Sequence, residues 1–257
     1  MMVIRSGRPL FASSSPFFLP LNSSKPTPTP ITHFRRFSAT ANMSIEHLVL
    51  FKVKTDTPSQ NLSAMIDGLN GLTSQVNQLL HLTAGPIHRN RSTTQFTHLL
   101  HSRYKSKEDL AAYSAHPAHV SVVKDNVLPI CDEIMAVDWI ADDLGPISPG
   151  SAMRITLLKL KDDSDKEEVL KIVRGVSGAF DKVVQNSFGE NFSPARANGF
   201  TVASLAVYGG IEDMEEANNS KKEVLESYKE NVRPFIDGVV DVEYVIPSSY
   251  SPQSANL

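Results

Sequence analysis

Cysteine is almost absent from this chain: Cys131 is the only one among 257 residues. A single cysteine excludes an intramolecular disulfide and a zinc site built from several cysteines. Its apolar neighbours, Pro129, Ile130 and Ile134, indicate that the thiol packs as a small buried side chain. The sequence also lacks a glycine-rich phosphate loop, a Gly-x-Ser-x-Gly motif and an apolar run long enough to cross a bilayer. No P-loop nucleotide-binding, serine-hydrolase or membrane-spanning function is therefore indicated.

Acidic residues are missing from residues 1–42, which contain five basic residues, serine clusters and a Pro-Thr ladder from Pro26 to Pro30. This composition is typical of an organellar transit peptide such as a chloroplast address, and a disordered tail with no address is the alternative. The whole chain has a net charge of -3, so residues 43–257 carry a formal charge of -8. An acidic surface repels phosphate backbones, and no nucleic-acid partner is predicted.

The last three residues, Ala255, Asn256 and Leu257, are a distant relative of the Ser-Lys-Leu peroxisomal address. Met43 opens a second segment that could serve as an alternative start of the chain. An organellar location is therefore predicted, with the chloroplast and the peroxisome both open.

An internal repeat sets the domain organisation. The segment Asn126–Trp139 returns 105 positions later as Asn231–Tyr244, with five identities in fourteen places. A repeat of this length predicts two copies of one unit, each of about 100 residues. We place the units at residues 43–140 and 151–247, with a Gly- and Pro-containing linker at 141–150 and a tail at 248–257.

Hydrophobic periodicity predicts the order β-α-β-β-α-β in both units, which makes the chain an α+β protein of two ferredoxin-like repeats. Apolar residues spaced by three and four from Leu62 to Leu80 predict a first helix of roughly five turns. In the second unit a helix is predicted over 166–184 and a loop over 189–199. Each antiparallel sheet would carry helices on one face and leave the other apolar face bare. Two such faces are expected to pack together or curl into a shared barrel, as a homodimer or as a pseudo-dimer within one chain.

Four segments of the first unit resemble a known family. They are His47-Leu-Val-Leu-Phe-Lys52, Phe96-Thr-His98, Ser106-Lys-Glu-Asp-Leu-Ala-Ala-Tyr113 and His116-Pro-Ala-His-Val120. They are similar to the dimeric alpha-beta barrel proteins of plants, the stress-response A/B barrel group. The resemblance implies a barrel of paired ferredoxin-like units, a stress-associated role and a central cavity that would hold a small hydrophobic ligand.

The resemblance also implies a polar site in the first unit. One plant relative cyclises a linear polyketide by aldol condensation, and its pocket residues correspond to His47, His98, Tyr113 and His119. His119 would take the proton and Tyr113 would stabilise the enolate, while His47 and His98 would orient the substrate. His116 is a further pocket candidate, or a turn residue before Pro117. A cyclase-like enzyme, a small-molecule binder and a plain scaffold role for these histidines all stay open.

The second unit departs from the family pattern at the polar positions. Arg154 stands at the place of His47, Val202 stands at the place of His98, and no His-Pro-x-His follows Glu212. A site shared with the family is therefore expected in the first unit only.

A magnesium ion is a further implication of the resemblance, because one plant relative holds it near the end of the first long helix. The matching positions here are Val76, Leu79, Leu80 and Leu82, which have no ligating side chains. Only their backbone carbonyls could bind the ion, since a helix end leaves carbonyls unpaired and carries the negative end of the dipole. The alternative is that these residues are core at helical spacing.

Overall fold

The computed structural model describes residues 43–142 and 144–248. The arginine-containing segment at 1–42 and the tripeptide at 255–257 lie outside the described residues, so the chloroplast and peroxisome assignments stay predictions. Within the described ranges, no helix has both the length and the apolar composition needed to cross a membrane.

The first unit contains five strands and three helices. They are β1 (Met43–Val53), α1 (Ser59–Gly71), β2 (His81–Pro86), β3 (Arg89–Asn90), β4 (His98–Tyr104), α2 (Lys107–Ala115), α3 (Pro117–Val122) and β5 (Cys131–Asp142). Local sequence sets several of the boundaries. Ser106 caps α2 by accepting a hydrogen bond from the Asp109 amide, and His116 separates α2 from α3 in an extended conformation. Pro117 then occupies the first turn of α3, where its missing N–H costs nothing.

The second unit follows the same plan with β6 (Ala152–Leu160), α4 (Lys166–Ser177), β7 (Val183–Glu190), β8 (Val202–Tyr208), α5 (Ile211–Ser220), α6 (Lys222–Val232) and β9 (Ile236–Val245). Asp165 caps α4 by accepting from the Glu168 amide. The acidic first turn of α4 complements the positive end of the helix dipole.

The predicted first helix is too long. It ends at Gly71, where a short 3-10 turn follows, instead of continuing to Leu80. The Asn70 side chain donates to the carbonyl of Ala84 and accepts from the Ala84 amide, which ties the helix end to β2. Val76 and Leu79 are buried, but they are held by a loop that packs on the core. The spacing of apolar residues by three and four therefore predicted their burial correctly. It wrongly predicted helix for residues 72–80, which form a short 3-10 turn and a loop.

The same error occurs in the second unit. The helix predicted to reach 184 ends at Ser177, and Val183–Glu190 forms a strand paired with β8. Much of the loop predicted at 189–199 is irregular, apart from the strand end at Glu190 and a short 3-10 turn at Pro194–Arg196. This strand has no clean alternation of apolar residues, because Val184 is exposed and the polar residue Ser187 is buried.

Two antiparallel sheets organise the molecule. The first has the strand order β2-β4-β1-β5 and the second has the order β3-β9-β6-β8-β7. Alternate residues of each strand point toward the other sheet and form one shared apolar core. Its members include Leu48, Leu50, Leu99, Met135, Trp139, Met153, Ile155, Leu205, Val242 and Tyr244. The predicted packing of the two bare faces is confirmed, and the cover comes from the same chain.

Reciprocal contacts close the barrel at both seams. Strand β3 of the first unit pairs with β9 of the second, with Arg89 opposite Glu243. At the other seam, the Phe192 amide donates to the Asp138 carbonyl on β5. A Cβ added to Gly85 would lie 3.1 Å from the Tyr244 hydroxyl oxygen, and one added to Gly189 would lie 3.3 Å from Trp139. Each seam thus places a glycine against an aromatic side chain of the other unit.

The helix-side cores of the two units differ. In the first unit the outer face of the sheet and the helices share one continuous apolar cluster that includes Phe51, Leu100, Tyr104 and Tyr113. In the second unit the corresponding residues fall into two separate clusters, one around Leu158, Val173 and Val232 and one around Tyr208 and Met214. The space between these two clusters is a cavity, described below.

Candidate functional site

A polar cluster lies between the sheet and the helices of the first unit. His47 on β1 stands opposite Asp138 on β5, and its Nδ1 lies 2.5 Å from Asp138 Oδ1. Arg196, which comes from the second unit, donates to the other carboxylate oxygen of Asp138. Burial by itself would raise the pKa of Asp138, but the bond from His47 and the charge of Arg196 outweigh burial and lower the pKa. An ionised Asp138 only accepts, so the proton of His47 lies on Nδ1.

Tyr113 and His119 join this cluster through ring contacts. The Tyr113 and His119 ring centroids are 4.4 Å apart, and Tyr113 also packs on Tyr104 at 5.3 Å and on His47 at 6.3 Å. His119 Nδ1 donates to the Ser114 carbonyl at 3.0 Å, so a neutral imidazole would carry its free lone pair on Nε2. Burial lowers the pKa of His119 and raises the pKa of Tyr113. Both side chains are therefore neutral at pH 7.

His98 and His116 lie apart from this cluster. On β4 the partner of His47 is Ser102, and His98 is four residues away from it, which is about 13 Å along a strand that rises roughly 3.3 Å per residue. His98 bonds Thr97 Oγ1 through Nδ1, and burial lowers its pKa. His116 accepts from the Ala118 amide and caps α3. Of the predicted site residues, His47, Tyr113 and His119 come together, while His116 serves as the turn residue.

A buried ionic network inside the barrel was not anticipated from the sequence. Glu46 on β1 accepts from His101 Nε2 at 2.7 Å and from Arg103 Nε at 3.0 Å, and both partners lie on β4. Ser187 of the second unit donates to Glu46, and Arg103 also donates to Gln185 Oε1. Glu46 and His101 are fully buried. The available signal was the spacing of Glu46 and Arg103, which lie an even number of residues from core leucines of the same strands and therefore share their face.

The charges of this network are interdependent. Burial alone would raise the pKa of Glu46, but His101 and Arg103 outweigh it and lower the pKa from 4.5 to about 2. Burial lowers the pKa of His101, and its Nδ1 has no hydrogen-bond partner among the described residues. A neutral His101 that donates from Nε2 satisfies both observations, because a buried N–H without an acceptor would be costly. Arg103 therefore supplies the positive charge that balances Glu46.

A cavity of about 480 Å³ lies in the second unit, between the outer face of its sheet and helices α4 and α6. Its inner wall is apolar and includes Leu158, Val173, Val176, Phe180, Val232 and Ile236. A second space of about 420 Å³ shares Arg91, Arg154, Leu225 and Lys229 with the cavity and is polar. The two spaces form an apolar chamber with a polar entrance, and we call them the inner chamber and the vestibule. The linings of both lack the four residues predicted for the first unit.

Smaller side chains explain why the inner chamber is open in the second unit. Strand register aligns Val49 and Leu100 of the first unit with Thr156 and Ser204 of the second. At the 105-residue offset of the repeat, Asn218 occupies the place of the bulky Tyr113. The lost volume lies on the helix side of the sheet, where the inner chamber is found. The sequence directed attention to the first unit because of its histidines, whereas the described cavity lies in the second.

Arg154 lies where the inner chamber meets the vestibule. Its Nη2 and Nε bond the two oxygens of Asp241 at 2.6 and 3.1 Å, and its Nη1 donates to Asn218 Oδ1 at 2.8 Å. Burial alone would lower the pKa of Arg154, but the bonds and charge of Asp241 raise it. Arg91 reaches in from the first unit and binds Glu243 Oε1 at 2.8 Å. Arg91 and Arg196 are themselves 105 residues apart, and each binds a carboxylate on the last strand of the other unit.

The magnesium prediction assumed that the first helix ends near residues 76–80, and the structure places the end of that helix elsewhere. Because α1 ends at Gly71, the negative end of its dipole is not at Val76–Leu80, and Leu82 lies within β2. Val76, Leu79 and Leu82 are buried members of the core. In the part of the chain that the structure describes, no three side chains of His, Cys, Asp or Glu are grouped to hold a metal ion. These residues do not fit a magnesium site, and we assign no role to the ion.

Cys131 packs at the start of β5 and is only half-buried, less than its apolar neighbours indicated. Burial still raises the pKa of its thiol to about 11. The thiolate is therefore scarce at neutral pH, which disfavours a nucleophilic role for this residue.

Comparison with known proteins identifies the family that this chain resembles. Residues 45–141 and 152–246 each match the Stress responsive A/B Barrel Domain family. The chain is 45% identical over 267 residues to a stress-response A/B barrel domain-containing protein of Arabidopsis thaliana, with 100% of both chains covered. It is 41% identical over 211 residues to a second stress-response A/B barrel domain-containing protein of the same plant, and that match covers 80% of this chain and 98% of the relative.

Solved structures agree with this fold. A Fusobacterium nucleatum protein named as a candidate monooxygenase is 16% identical with a TM-score of 0.59, and the match covers 79% of this chain and 93% of that one. An anthrone oxidase-like protein is 17% identical with a TM-score of 0.54 over 83% of this chain and 94% of the other. Identities this low establish a shared fold alone. The two domain matches and the plant relatives show the family: the chain belongs to the stress-response A/B barrel family, with two tandem domains that close one barrel.

Proposed function

We propose that this protein binds a small amphipathic molecule in the inner chamber of its second unit. The observation that carries the proposal is the split of the helix-side core into two clusters with a space of about 480 Å³ between them. Small-molecule sites are typically concave, largely apolar and supplied with a few polar groups, and their volumes are roughly 300–1,000 Å³. The inner chamber meets each of these criteria. A well-packed core of this size has few voids larger than a water molecule, so the open space indicates use.

The site of binding differs from the sequence-based expectation of a central barrel cavity. The space between the two sheets is filled by Leu48, Trp139, Met153, Tyr244 and the rest of the shared core. A ligand is better accommodated on the helix side, where the second unit has the smaller residues. The two sheets thus act as a rigid base, and the helices α4 and α6 form the outer wall of the binding space.

The polyketide-cyclase alternative has less support than the binder. Tyr113 is 1% exposed, and its ring packs directly on His119 and Tyr104. A substrate could reach the Tyr113 hydroxyl only if these rings moved apart. The tautomer of His119 does suit a general base, so the first-unit cluster keeps the chemistry that the family resemblance implied. Its packing favours a role in holding α2 and α3 against the sheet.

Blocking the inner chamber tests the proposal. We expect decan-1-ol, a neutral molecule with an apolar tail, to bind with one site per chain in isothermal titration calorimetry. Ala206 lines the inner chamber on β8, so Ala206→Phe would fill it and should weaken binding at least about tenfold, as loss of a buried contact of roughly 1.4 kcal/mol or more predicts. Exposed Ala112 on α2 provides the matched control, and Ala112→Phe should leave the affinity unchanged. Equal affinity of Ala206→Phe and the parent would refute the proposed site.

A further inference from the structure

We infer that the ligand of the second unit is an amphipathic anion, whose apolar tail lies in the inner chamber and whose negative head lies in the vestibule at Arg154. The inference rests on the proposed function and deepens it by naming the ligand class. It comes from three independent features of the site: the sign of the charges around the entrance, the unused donors beside Arg154 and the separation of apolar and polar walls.

The entrance is positive although the chain as a whole is negative. Six basic side chains line the two connected spaces, namely Arg89, Arg91, Arg154, Lys222, Lys229 and Arg233. Three acidic side chains line them, namely Glu215, Glu226 and Asp241. The chain carries a net charge of -3, so this local excess is opposite in sign to the rest of the surface. A cleft lined by one sign of charge attracts ligands of the other sign and disfavours cations.

Donors beside Arg154 remain available to a ligand. A guanidinium has five N–H groups, and Arg154 uses three of them on Asp241 and Asn218. Asn218 Nδ2 is buried and has no hydrogen-bond partner among residues 43–142 and 144–248. A buried amide donor without an acceptor is costly, and a carboxylate oxygen at this position would satisfy it. Asn218 also accepts from Arg154, so the two side chains are held next to each other.

The ion pair with Asp241 does not cancel this attraction. Asp241 lies on β9 and binds Arg154 through both carboxylate oxygens, which fixes the plane of the guanidinium. Tyr208 and Tyr228 line the same space, and burial raises the pKa of both, in the case of Tyr228 to about 12. Both phenols therefore stay protonated at neutral pH and can donate hydrogen bonds. The polar end of the chamber has many donors and one carboxylate that is already paired.

Arg91 makes the entrance a property of the whole two-unit chain. This arginine follows β3 of the first unit, lines both spaces and is anchored to buried Glu243. The vestibule is therefore completed only when the two units pack together. The anion site is a consequence of the duplication, because only the second copy has Arg154 and Asn218 in place of His47 and Tyr113.

Comparison of three decyl compounds tests the inference on the full chain. By calorimetry at pH 7.5 we expect decanoate to bind at least about tenfold more tightly than decan-1-ol, since hydrogen bonds between charged groups are stronger than those to a neutral hydroxyl. Decyltrimethylammonium should bind more weakly than the alcohol. The variant Arg154→Gln should weaken decanoate about tenfold and leave decan-1-ol within about twofold. Lys171→Gln, at an exposed lysine on α4, is the charge-matched control and should alter neither affinity.

A second variant covers the case in which Arg154→Gln fails to fold because Asp241 is left unpaired. Arg154→Gln combined with Asp241→Asn removes both charges of the pair and should show the same selective loss of decanoate binding. Equal affinities of the parent for decanoate and decan-1-ol would overturn the anion inference and leave the proposed function intact. Absence of binding by both compounds would overturn the proposed function as well.

Discussion

Replacing Glu46 with glutamine is expected to lower the free energy of unfolding by about 3–5 kcal/mol, which is the usual cost of removing one partner from a buried ion pair. Glu46 is fully buried and accepts from His101, Arg103 and Ser187. The glutamine would leave Arg103, which is 2% exposed, as a buried charge without a counter-charge. Urea denaturation at pH 7, followed by circular dichroism, measures the difference. Glu226→Gln, at an exposed surface pair with Lys229, is the control and should leave the stability nearly unchanged.

The second unit shows which apolar residues can replace the buried ionic network as a whole. Strand register aligns Glu46, His101 and Arg103 with Met153, Leu205 and Val207, which fill the same positions with apolar side chains. A triple variant carrying Met, Leu and Val at these three positions should therefore be much more stable than Glu46→Gln. Buried ion networks can often be replaced by apolar residues of similar volume at little cost. If the triple variant is less stable than the single one, the network is not balanced as described.

Lowering the pH should reduce the stability of the parent protein through protonation of Glu46. The pKa of Glu46 falls from 4.5 to about 2 on folding, because His101 and Arg103 outweigh the effect of burial. A depressed carboxylate pKa contributes stability that is complete above the unfolded pKa and is lost as the pH falls through the folded pKa. The contribution of Glu46 should therefore decline between about pH 4.5 and pH 2. The stability difference between the parent and Glu46→Gln should shrink over that interval.

Separation of the two units is expected to abolish the monomeric fold of the first. Residues 43–142 alone would expose the barrel-facing side chains of Leu48, Leu50, Leu99 and Trp139, together with the Glu46 network. An apolar sheet face without a cover cannot support an independent domain. We therefore expect this fragment to unfold or self-associate at micromolar concentration. Trp139 is the only tryptophan and is fully buried, so its emission should shift to the red in an unfolded fragment.

Addition of residues 151–248 provides the control for this experiment. The two fragments should recombine, restore the emission of buried Trp139 and sediment as one complex with the mass of a single chain. A fragment 43–142 that stays monomeric, with blue-shifted emission and native circular dichroism, would contradict the claim that the barrel core is shared. The test also distinguishes the intramolecular pseudo-dimer from a homodimer, the two arrangements that the repeat left open.

Much of the architecture follows from the repeat and from periodicity. The segments 126–139 and 231–244 each close a unit with a strand, and the bare apolar faces of two such units require each other. The α+β class and the two ferredoxin-like repeats followed from this periodicity. The predicted order included a second strand in each unit, but the positions of these strands, 81–86 and 183–190, were assigned wholly or partly to helix for a physical reason. Apolar spacing from Leu62 to Leu80 reflects burial in both a helix and a packed loop, and the pattern alone does not separate them.

The proposed binding site was harder to predict than the fold, because it depends on the volumes of the side chains between the sheet and the helices. Histidines at 47 and 119 are visible in a sequence, and their packing against Tyr113 of α2 is not. An open chamber results from several small differences, such as Ser204 in place of Leu100 and Asn218 in place of Tyr113, which have no motif. Arg154 was recognised as a departure from the family pattern. Its partner Asp241 and its neighbour Arg91 are 87 and 63 residues away in the chain and meet it only in the folded barrel.

The proposed ligand site lies between the sheet and the helices of the second unit. Methyl-labelled nuclear magnetic resonance of the full chain, titrated with decanoate, would locate the bound ligand residue by residue. Saturable shifts should concentrate on methyl groups of the inner chamber, such as those of Leu158, Val173, Val176 and Val232. Methyl groups of the first-unit core, such as those of Leu69, Leu100 and Leu110, should not move. Shifts confined to the first unit, or spread without saturation over both units, would show that the ligand does not bind in the inner chamber.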